Sequence, residues 1–508
     1  MAASGPCYIG LDLGTTRTRA VLFDRGGVAV ADASQDYPLE TPHPAWAEQD
    51  PELVYQAALD CLRTVVRDST ISQTDIAGVG LSGTLHNIIA IGDSGEPLTP
   101  AVIWADTRAT REVAEIRRLA DAKSLYARTG CPVHPMYPVA KLRWLRQEQP
   151  RVFAAARRFA SIKDFVFHRL AGSRAVDFSG ASGTGMLALR TKTWDDEALG
   201  LAGVTADQLG DLVEPTFTRP LTRRMATETG LLAGTPIAIG AGDGVLSALG
   251  TGTLASGQMT AMIGTSGAVR VVTNEPRVDR DGRTWCYYLA KDRWVAGAAI
   301  HNAGMAYDWT AEKLLRISAD DDQDHARLSS WADDVPPGSG GLIFLPFLAG
   351  ERSPYWNANA RGVMFGLSIN HDYRHVIRAT LEGVCYRMRS CYQALDEVAG
   401  PIREIRAAGG FVHSPLWLQM LSDVFGRPLL VPNAAESSAL GAAVVAMLAD
   451  GTIESLEEVS QMVSIEQRVH PAPERHDTYN RLYDLYSRVY WKLQEEFDEI
   501  TAFQREGK

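Results

Sequence analysis

Hydrophobic residues along this chain alternate between the spacing typical of strands and the spacing typical of helices. Residues 9–24 are largely apolar on both sides of a Gly-Thr-Thr turn, which predicts a strand, a tight turn and a returning strand. Residues 76–91 predict a second strand-turn-strand unit. Asp50 and Pro51 suit the N-cap and first position of a helix. The apolar face predicted for that helix consists of Leu53, Val54, Ala57, Leu62, Val65 and Val66. This alternation of strands and helices favours an α/β architecture.

The second half of the chain favours longer helices. Residues 233–248 are rich in glycine and other small residues, which predicts a strand-loop-helix crossing, and a break between lobes is expected within residues 216–250. In the first half, helices are predicted over residues 109–128 and 139–146. In the second half, they are predicted over residues 375–398, 415–425, 439–449 and 477–503. The last of these is amphipathic, so it could wrap a lobe or meet a second subunit, and a homodimer is one possible assembly.

The turn at residues 14–16 has a counterpart about half a chain length later. Residues 264–266 form a Gly-Thr-Ser turn between apolar residues 262–263 and 268–272. Glycine lets the backbone approach a ligand closely because it has no Cβ. The hydroxyls and amides of such turns can bind phosphate oxygens. Two of these turns predict a nucleotide held between two similar lobes, and therefore an enzyme that uses ATP.

Size and charge narrow the functional class. The chain has 508 residues and is expected to form at least two domains. Its net charge of −11 argues against nucleic acid or an anionic membrane as a partner. We find no signal-peptide pattern and no apolar run long enough to span a bilayer. The six cysteines are scattered and predict reduced, mostly buried thiols, which favours a cytoplasmic location.

Asp12 lies at the end of the first predicted strand, directly before the glycine turn. Magnesium prefers oxygen ligands and is usually held by one or two carboxylates together with phosphate oxygens. Asp12 is therefore a candidate magnesium ligand, directly or through water. A capped hairpin turn without any ligand is the alternative interpretation of this segment alone.

Two longer segments carry a family resemblance. Residues 136–148 have the sequence MYPVAKLRWLRQE, and residues 362–367 and 375–382 have the sequences GVMFGL and HVIRATLE. The chain resembles the FGGY family of carbohydrate kinases through both segments, and the resemblance extends over nearly its whole length. It implies two actin/hexokinase-like (ribonuclease H-like) α/β lobes that flank a central cleft for ATP and sugar. The domains implied are residues 1–245, with the sugar site and first phosphate loop, and residues 246–508, with the nucleotide site.

The resemblance also assigns roles to individual residues. Asp243, within the run Gly-Ala-Gly-Asp-Gly, matches the family's catalytic aspartate and would accept the proton of the attacking hydroxyl. Together with Asp12 it is also a candidate magnesium ligand. The acceptor-binding residues implied, besides Asp243, are Glu48, Thr84, His86, Asp106, Arg108, His134 and Asn302. The ATP-binding residues implied are Gly14, Thr15, Thr16, Arg19, Gly264, Thr265, Ser266, Gly409, Gly410 and Ser414.

The family phosphorylates several polyols, including xylulose, ribulose, glycerol and gluconate. Residues 85–91, 97–100, 128–136 and 176–186 resemble its gluconate-phosphorylating members most. Gluconate carries a carboxylate, which positive or donor side chains such as His86, Arg108, His134 and Lys141 could bind. The sequence Thr-Leu-His-Asn at residues 84–87 departs from close relatives around the histidine. A xylulose or other polyol kinase is the alternative acceptor class, and a non-catalytic sugar-sensing ATPase is the alternative outside enzymes.

Two motifs are better explained as structure. Residues 78–83 satisfy G-x-G-x-x-G, but a dinucleotide site requires a helix to follow and residues 84–91 predict a strand. His371 and His375 have a spacing that could hold zinc on a helix. No third ligand is suitably placed, so a helix start is the better interpretation.

Overall fold

The computed structural model describes residues 5–317, 322–433 and 436–506. The chain forms two compact units, and each is built from several segments. Unit 1 comprises the described residues of Met1–Ala255, Val272–Ala296 and Glu436–Ser464, and unit 2 those of Ser256–Val271, Gly297–Ala435 and Ile465–Lys508. We predicted one crossing, between residues 245 and 246. The chain first leaves unit 1 after Ala255 and returns to it twice.

The strands, in chain order, are β1 Cys7–Leu13, β2 Arg17–Asp24, β3 Ala29–Asp36, β4 Glu48–Gln49, β5 Ile76–Gly83, β6 Ile89–Ile91, β7 Ala101–Val102, β8 Arg158–Ala160, β9 Ala175–Asp177, β10 Leu187–Ala188, β11 Thr193–Trp194, β12 Asp211–Val213, β13 Thr218–Pro220, β14 Pro236–Gly242, β15 Gln258–Ile263, β16 Gly267–Thr273, β17 Trp285–Ala290, β18 Arg293–Ile300, β19 Ile343–Leu345, β20 Val363–Phe365, β21 Glu404–Ala408, β22 Leu429–Pro432 and β23 Ile465–Val469.

The α-helices, in chain order, are α1 Pro51–Asp68, α2 Thr110–Leu119, α3 Ala122–Thr129, α4 Pro138–Glu148, α5 Pro150–Ala155, α6 Ile162–Ala171, α7 Phe178–Ser182, α8 Asp196–Ala202, α9 Ala206–Leu209, α10 Arg223–Thr229, α11 Asp243–Gly250, α12 Gly304–Trp309, α13 Asp322–Asp333, α14 Tyr373–Ala399, α15 Pro415–Phe425, α16 Ser437–Asp450, α17 Val459–Met462, α18 Pro473–Lys492 and α19 Gln494–Glu506. One turn of π-helix covers Thr310–Leu315, and short 3₁₀ segments cover Gln73–Asp75, Ser339–Gly341, Gly410–His413 and Leu456–Glu458.

The large sheet of unit 1 has the order β13-β14-β5-β1-β2-β3. Strands β1, β5 and β14 run parallel to one another, whereas β2, β3 and β13 pair antiparallel at the two sides. The predicted hairpin around the first glycine turn is confirmed as β1 and β2. The apolar residues on one face of this hairpin lie in a buried hydrophobic cluster together with residues of α1 and α6.

Unit 2 repeats this arrangement. Strand β15 pairs antiparallel with β16 and parallel with β21, which pairs parallel with β22, and β23 closes that side antiparallel. The order β16-β15-β21-β22-β23 therefore has the same alternation of directions as β2-β1-β5-β14-β13 in unit 1. The internal repeat predicted from the two glycine turns is confirmed.

Glycines bring helix α16 onto the sheet of unit 1. A Cβ added at Gly10 in β1 would lie 1.9 Å from the carbonyl oxygen of Ala439, and one added at Gly80 would lie 1.9 Å from that of Ala442. Only glycine permits backbones to approach this closely. The contact brings the start of α16, with Ser437 and Ser438, next to α11.

Several predicted elements differ at their edges. Asp50 caps α1 as predicted, with its carboxylate accepting from the amides of Glu52 and Leu53, but the Leu53 side chain is 44% exposed and lies off the buried face. The helix predicted over residues 109–128 is two helices, because Asp121 caps a new start at Ala122. The helix predicted over residues 477–503 is likewise divided into two helices, α18 and α19, which are separated at Leu493. The predicted strand-loop-helix crossing contains no loop, since β14 ends at Gly242 and α11 begins at Asp243.

Smaller predictions are confirmed. The six cysteines are buried free thiols. Residues 78–83 lie inside β5, and no helix follows them directly, although the strand predicted over residues 84–91 forms only at Ile89–Ile91. His375 belongs to the capping box of α14 with Asp372. In the described part of the chain, the structure contains no helix long and apolar enough to cross a membrane.

Candidate active site

Three parallel strands of unit 1 end at the same edge of the sheet. In the strand register Asp12 of β1 lies beside Ser82 of β5, and Gly242 of β14 lies beside Gly83. Ligands of open α/β sheets bind outside the carboxyl ends of the strands. The polar residues that follow these three strand ends therefore form the candidate site of unit 1.

Asp12 is held in this edge by a single short hydrogen bond. The Ser82 hydroxyl donates to its Oδ1 at 2.5 Å. Loss of solvent raises the pKa of Asp12 above its ordinary value, and the bond from Ser82 opposes that rise. Arg19 lies opposite Asp12 in β2, but its guanidinium binds Asp32 at 2.8 Å and Glu436. Among the described residues, Ser82 is the only side chain that hydrogen-bonds Asp12.

The turn between β1 and β2 is fixed by its backbone. The Gly14 amide donates to the Arg17 carbonyl at 2.9 Å. The Gln49 side-chain amide donates to the carbonyls of Gly14 and Thr15 at 3.1 and 2.6 Å. The Thr15 hydroxyl accepts from the Trp104 indole at 3.0 Å, whereas Thr16 is exposed. The turn is thus a preformed loop at the strand edge.

Asp243 is the first residue of α11 and follows β14 without a loop. Gly240, two residues before the strand ends, has φ +70°, and a Cβ there would lie 1.6 Å from the Leu81 carbonyl oxygen. The Gly242 amide donates to Ser179 Oγ at 3.3 Å, and the Ser438 hydroxyl donates to the Asp243 carbonyl at 3.3 Å. The carboxylate accepts from the Gly244 amide at 2.6 Å. A helix start favours a negative charge, so the ionised carboxylate is stabilised there.

The turn after β5 contains His86 in an unusual conformation. Its φ is +65°, a left-handed backbone that a residue with a Cβ rarely adopts. The imidazole Nδ1 lies 2.7 Å from the Gly183 carbonyl, and Nε2 lies 3.4 Å from the Tyr287 hydroxyl. The Thr84 hydroxyl accepts from the Asn87 amide at 3.2 Å. Strained residues cluster at functional sites because the surrounding structure must hold them.

Lys141 of α4 lies behind this turn, where it is only 2% exposed. Its ammonium donates to the carbonyls of His86 and Ile103 at 2.6 Å each, and to that of Val102 at 3.3 Å. Burial lowers the pKa of Lys141 to about 7, while the Asp106 carboxylate opposes this shift.

The segment after β7 forms a buried ion cluster. Arg108, whose side chain is 3% exposed, donates to Glu48 and Asp106 at 2.7 Å each. Its guanidinium carbon lies 3.7 Å from the centre of the Trp46 ring. The Asp106 carboxylate also accepts from the Ala47 amide at 2.8 Å. Glu48, Asp106 and Arg108 are therefore brought together, and the charge of the guanidinium is balanced by two carboxylates.

Unit 2 contains a cavity of about 860 Å³ at the matching strand edge. Met262 of β15 lies beside Ala408 of β21, so the turns that follow both strands meet there. Gly264, Thr265, Gly410 and Ser414 line the cavity. Gly409, next to Gly410, packs against the end of β15. Its φ is +93°, and a Cβ there would lie 2.4 Å from the Ile263 carbonyl oxygen.

The walls of this cavity combine aromatic and polar groups. Tyr307, Phe411 and Trp417 contribute aromatic faces, and Asp308 and Asp333 contribute carboxylates. Ser414 caps the eleven-residue helix α15, whose first amides point to this end. The volume is within the range of ligand pockets, and a helix start favours anions. A flat base, a ribose and a phosphate chain suit such a lining.

Comparison with known proteins assigns these features to a family. A sequence model of the FGGY family of carbohydrate kinases, N-terminal domain, matches residues 7–250. The corresponding model of the C-terminal domain matches residues 259–449. The chain belongs to the FGGY family. It is accordingly a sugar kinase, a phosphotransferase with an alcohol acceptor, and FGGY kinases use ATP.

Individual FGGY relatives cover the whole chain. It is 37% identical to the gluconokinase of Bacillus subtilis (strain 168), covering 98% of both chains. The crystal structure of a gluconate kinase from Lactobacillus acidophilus superposes with a TM-score of 0.91 at 32% identity, covering 98% of this chain and 100% of that one. A ligand-bound xylulose kinase from the same organism also has a TM-score of 0.91 at 32% identity, covering 97% of this chain and all of that one.

The predicted FGGY site residues fall into two groups within the two units. The first group lies at neighbouring strand ends of unit 1 and comprises Asp12, the turn at residues 14–16, His86 and Asp243. Gly264, Thr265, Gly410 and Ser414 share the cavity of unit 2. His134 is buried in unit 1, where its Nδ1 accepts from the Met136 amide at 3.2 Å.

Two of the predicted site residues, Asn302 and Arg19, hydrogen-bond to other groups of the protein. The Asn302 side chain binds the carbonyl of Gly350 at 2.7 Å and the amide of Ala349 at 3.0 Å, so it supports the loop at residues 349–350. Arg19 binds carboxylates. An acceptor contact by Asn302 and a phosphate contact by Arg19 stay predictions.

Sequence reasoning missed several side chains that shape the site. Ser82, Ser179, Tyr287 and Tyr307 each contact or line it. Ser82 and Ser179 lie in segments that were singled out in the sequence, residues 78–83 and 176–186, but no role was assigned to their side chains. Their partners are distant in sequence, so only the folded chain reveals them.

Proposed function

We propose that this FGGY kinase transfers the γ-phosphoryl group of ATP to the terminal hydroxyl of D-gluconate, giving 6-phosphogluconate and ADP. The observation that carries the choice of acceptor is the 37% identity with a gluconokinase over 98% of both chains. The superposition with a gluconate kinase structure supports the same choice.

In this proposal Asp243 is the general base. The acceptor O–H bond breaks and its proton passes to the Asp243 carboxylate as the oxygen forms a bond to the γ-phosphorus. The bond from that phosphorus to the β,γ-bridging oxygen breaks, and ADP leaves with the electron pair. The position of Asp243 as the first residue of α11, after a strand end, supports this role. Most other assistance in phosphoryl transfer is positioning and electrostatics.

The glycine turns would hold the phosphates, and the cavity of unit 2 would hold the nucleoside. Asp12 fits a magnesium ligand, because its half-buried carboxylate lies at the strand edge beside the glycine turn, and its one hydrogen-bonding side chain among the described residues is a neutral hydroxyl. Bound magnesium would neutralise phosphate charge. We keep the homodimer and the cytoplasmic location as predictions.

Binding of the gluconate carboxylate is assigned to His86 and His134. Arg108 and Lys141 were the other candidates in unit 1. The Arg108 guanidinium is balanced by Glu48 and Asp106, and the Lys141 ammonium binds three backbone carbonyls. These two cations are therefore better suited to building the pocket wall than to binding a second anion.

A screen of acceptors tests the proposed function. Purified protein with MgATP is assayed for ADP release with gluconate, xylulose, ribulose and glycerol at matched concentrations. We expect kcat/KM for gluconate to exceed that for each of the other acceptors at least tenfold. Preference for xylulose would replace gluconate by the alternative that the superposed xylulose kinase favours.

Replacing Asp12 by Asn should weaken magnesium binding. The carboxylate charge is lost while the size and the bond to Ser82 are kept, so we expect the magnesium concentration for half-maximal activity to rise about tenfold or more. Calorimetry should show that ADP alone binds the variant as it binds the wild type. Asp36→Asn removes an exposed carboxylate from β3 and serves as the control. An unchanged magnesium requirement in Asp12→Asn would remove Asp12 from the metal site.

A further inference from the structure

Lys141 makes contacts that the proposed reaction does not use. Lysine is rarely buried without a partner, because its charge must be taken out of water. At 2% exposure, the Lys141 ammonium is compensated by three hydrogen bonds to backbone carbonyls. No carboxylate lies among these three acceptors. The arrangement uses all three ammonium donors on main-chain atoms.

These carbonyls come from two segments that approach the strand edge separately. The first is the carbonyl of His86, in the turn after β5. The others belong to Val102 and Ile103, directly before the segment that carries Trp104, Asp106 and Arg108. The two segments also meet through reciprocal backbone bonds between Ile88 and Val102 at 3.0 and 3.2 Å. The ammonium of Lys141, on α4, binds carbonyls of both segments and so joins them.

The contact is most consequential at His86. A left-handed histidine needs neighbours that fix its peptide plane, since the extended conformation would otherwise be favoured. The Lys141 ammonium fixes the His86 carbonyl at 2.6 Å, and the Gly183 carbonyl orients the ring at 2.7 Å. Loss of the first contact would let the peptide rotate and move the imidazole.

We propose that Lys141 is a positioning residue for the acceptor: it anchors the His86 turn to residues 102–103, which places the His86 imidazole for the sugar, and it does not contact the sugar itself. This inference rests on the proposed function, because it gives His86 the role of an acceptor contact. Since the nucleotide cavity lies within unit 2, the inference separates acceptor binding from nucleotide binding.

The test is Lys141→Met, which keeps the length and removes the charge and the donors. We expect the KM for gluconate to rise at least tenfold while the KM for ATP and the Kd for ADP change less than twofold. Lys192→Met is the control, since that lysine of unit 1 binds Asp292 and Glu214. It should leave both KM values unchanged. A gluconate KM within twofold of wild type in Lys141→Met would overturn the inference.

A double-mutant cycle distinguishes positioning from general destabilisation. If Lys141 acts through His86, the variant carrying Lys141→Met and His86→Ala should have nearly the same gluconate KM as His86→Ala alone. If the factors by which the two single substitutions raise the gluconate KM multiply in the double variant, Lys141 acts independently of His86 and the proposal is contradicted. Lys141→Arg retains the charge but replaces a tetrahedral donor by a planar one. It should raise the same KM several-fold, and it decides the question if Lys141→Met does not fold.

A wrong acceptor assignment would give different results from a wrong role for Lys141. If the wild type phosphorylates xylulose and not gluconate, the acceptor assignment fails, and the same variants are then measured with xylulose. A shift of the xylulose KM in Lys141→Met would still support positioning by Lys141. No shift with the preferred acceptor would refute it whatever that acceptor is.

Discussion

Asp243→Asn is expected to lower kcat about 10²–10⁴-fold, the contribution typical of general base catalysis. Asparagine has the same size and can still accept a bond from the Gly244 amide, so the start of α11 should persist. It cannot take the proton of the attacking hydroxyl. The measurement is coupled ADP release under saturating gluconate and MgATP. The Kd for ADP should remain within twofold of wild type, because the cavity proposed for the nucleoside is lined by residues of unit 2.

Asp196→Asn provides the matched control, because Asp196 is an exposed aspartate at the first position of α8. It loses the same favourable interaction with a helix start, and its kcat should not change. Retention of more than about a tenth of wild-type kcat in Asp243→Asn would remove Asp243 as the base, given the typical contribution of such groups. A non-catalytic sugar sensor would instead keep its function in Asp243→Asn, whereas the kinase loses turnover and keeps nucleotide binding.

Gly409→Ala is expected to weaken ADP binding at least tenfold, which corresponds to about 1.4 kcal/mol. The new Cβ would lie 2.4 Å from the Ile263 carbonyl oxygen, and Gly409 has φ +93°. Either the loop at residues 409–410 or the end of β15 must move. Since Gly264 and Gly410 both line the cavity, its shape changes with that movement. Calorimetry with ADP measures the effect.

Gly400→Ala separates the crowding from the backbone strain. Gly400 ends α14 with φ +90°, and a Cβ there meets no atom within 4 Å. Both glycines combine a positive φ with a ψ near 180°, so the two variants share a backbone strain of about 1–3 kcal/mol, but only Gly409→Ala has the clash. ADP binding should therefore be normal in Gly400→Ala. Equal ADP affinity in both variants would mean that the Gly409 loop does not shape the nucleotide site.

The main sheet hairpins could be predicted because their signals are local. Each has apolar strands around a glycine and hydroxyl turn, and both hairpins form as expected. Asp50 followed by Pro51 likewise specified the start of α1. In such segments neighbouring residues alone determine the conformation, so a single sequence suffices.

Helix boundaries were predicted wrongly where the helical spacing of apolar residues continues across a break between two helices. Residues 109–128 keep helical spacing, yet Asp121 accepts from the Lys123 amide at 3.0 Å and starts a new helix. The aspartate was the available signal there. At Leu493 neither glycine nor proline marks the division between α18 and α19.

The places of the candidate acidic and glycine residues at the strand ends could be predicted from the sequence, whereas the contacts that support them could not. Asp12 is the second-last residue of β1 and Asp243 directly follows β14, which places both carboxylates at the sheet edge. The role of Lys141 depends on carbonyls at residues 86 and 103, and that of Asn302 on backbone groups at residues 349 and 350. Backbone carbonyls exist at every position, so no sequence pattern identifies which of them a side chain will bind.

Product analysis by phosphorus NMR tests the central claim most directly. The protein is incubated with MgATP and gluconate as the sole acceptor, and the phosphate ester formed is compared with the ADP released. The account predicts one 6-phosphogluconate for each ADP. Release of ADP with inorganic phosphate and no ester, or an ester formed only when xylulose replaces gluconate, would contradict it.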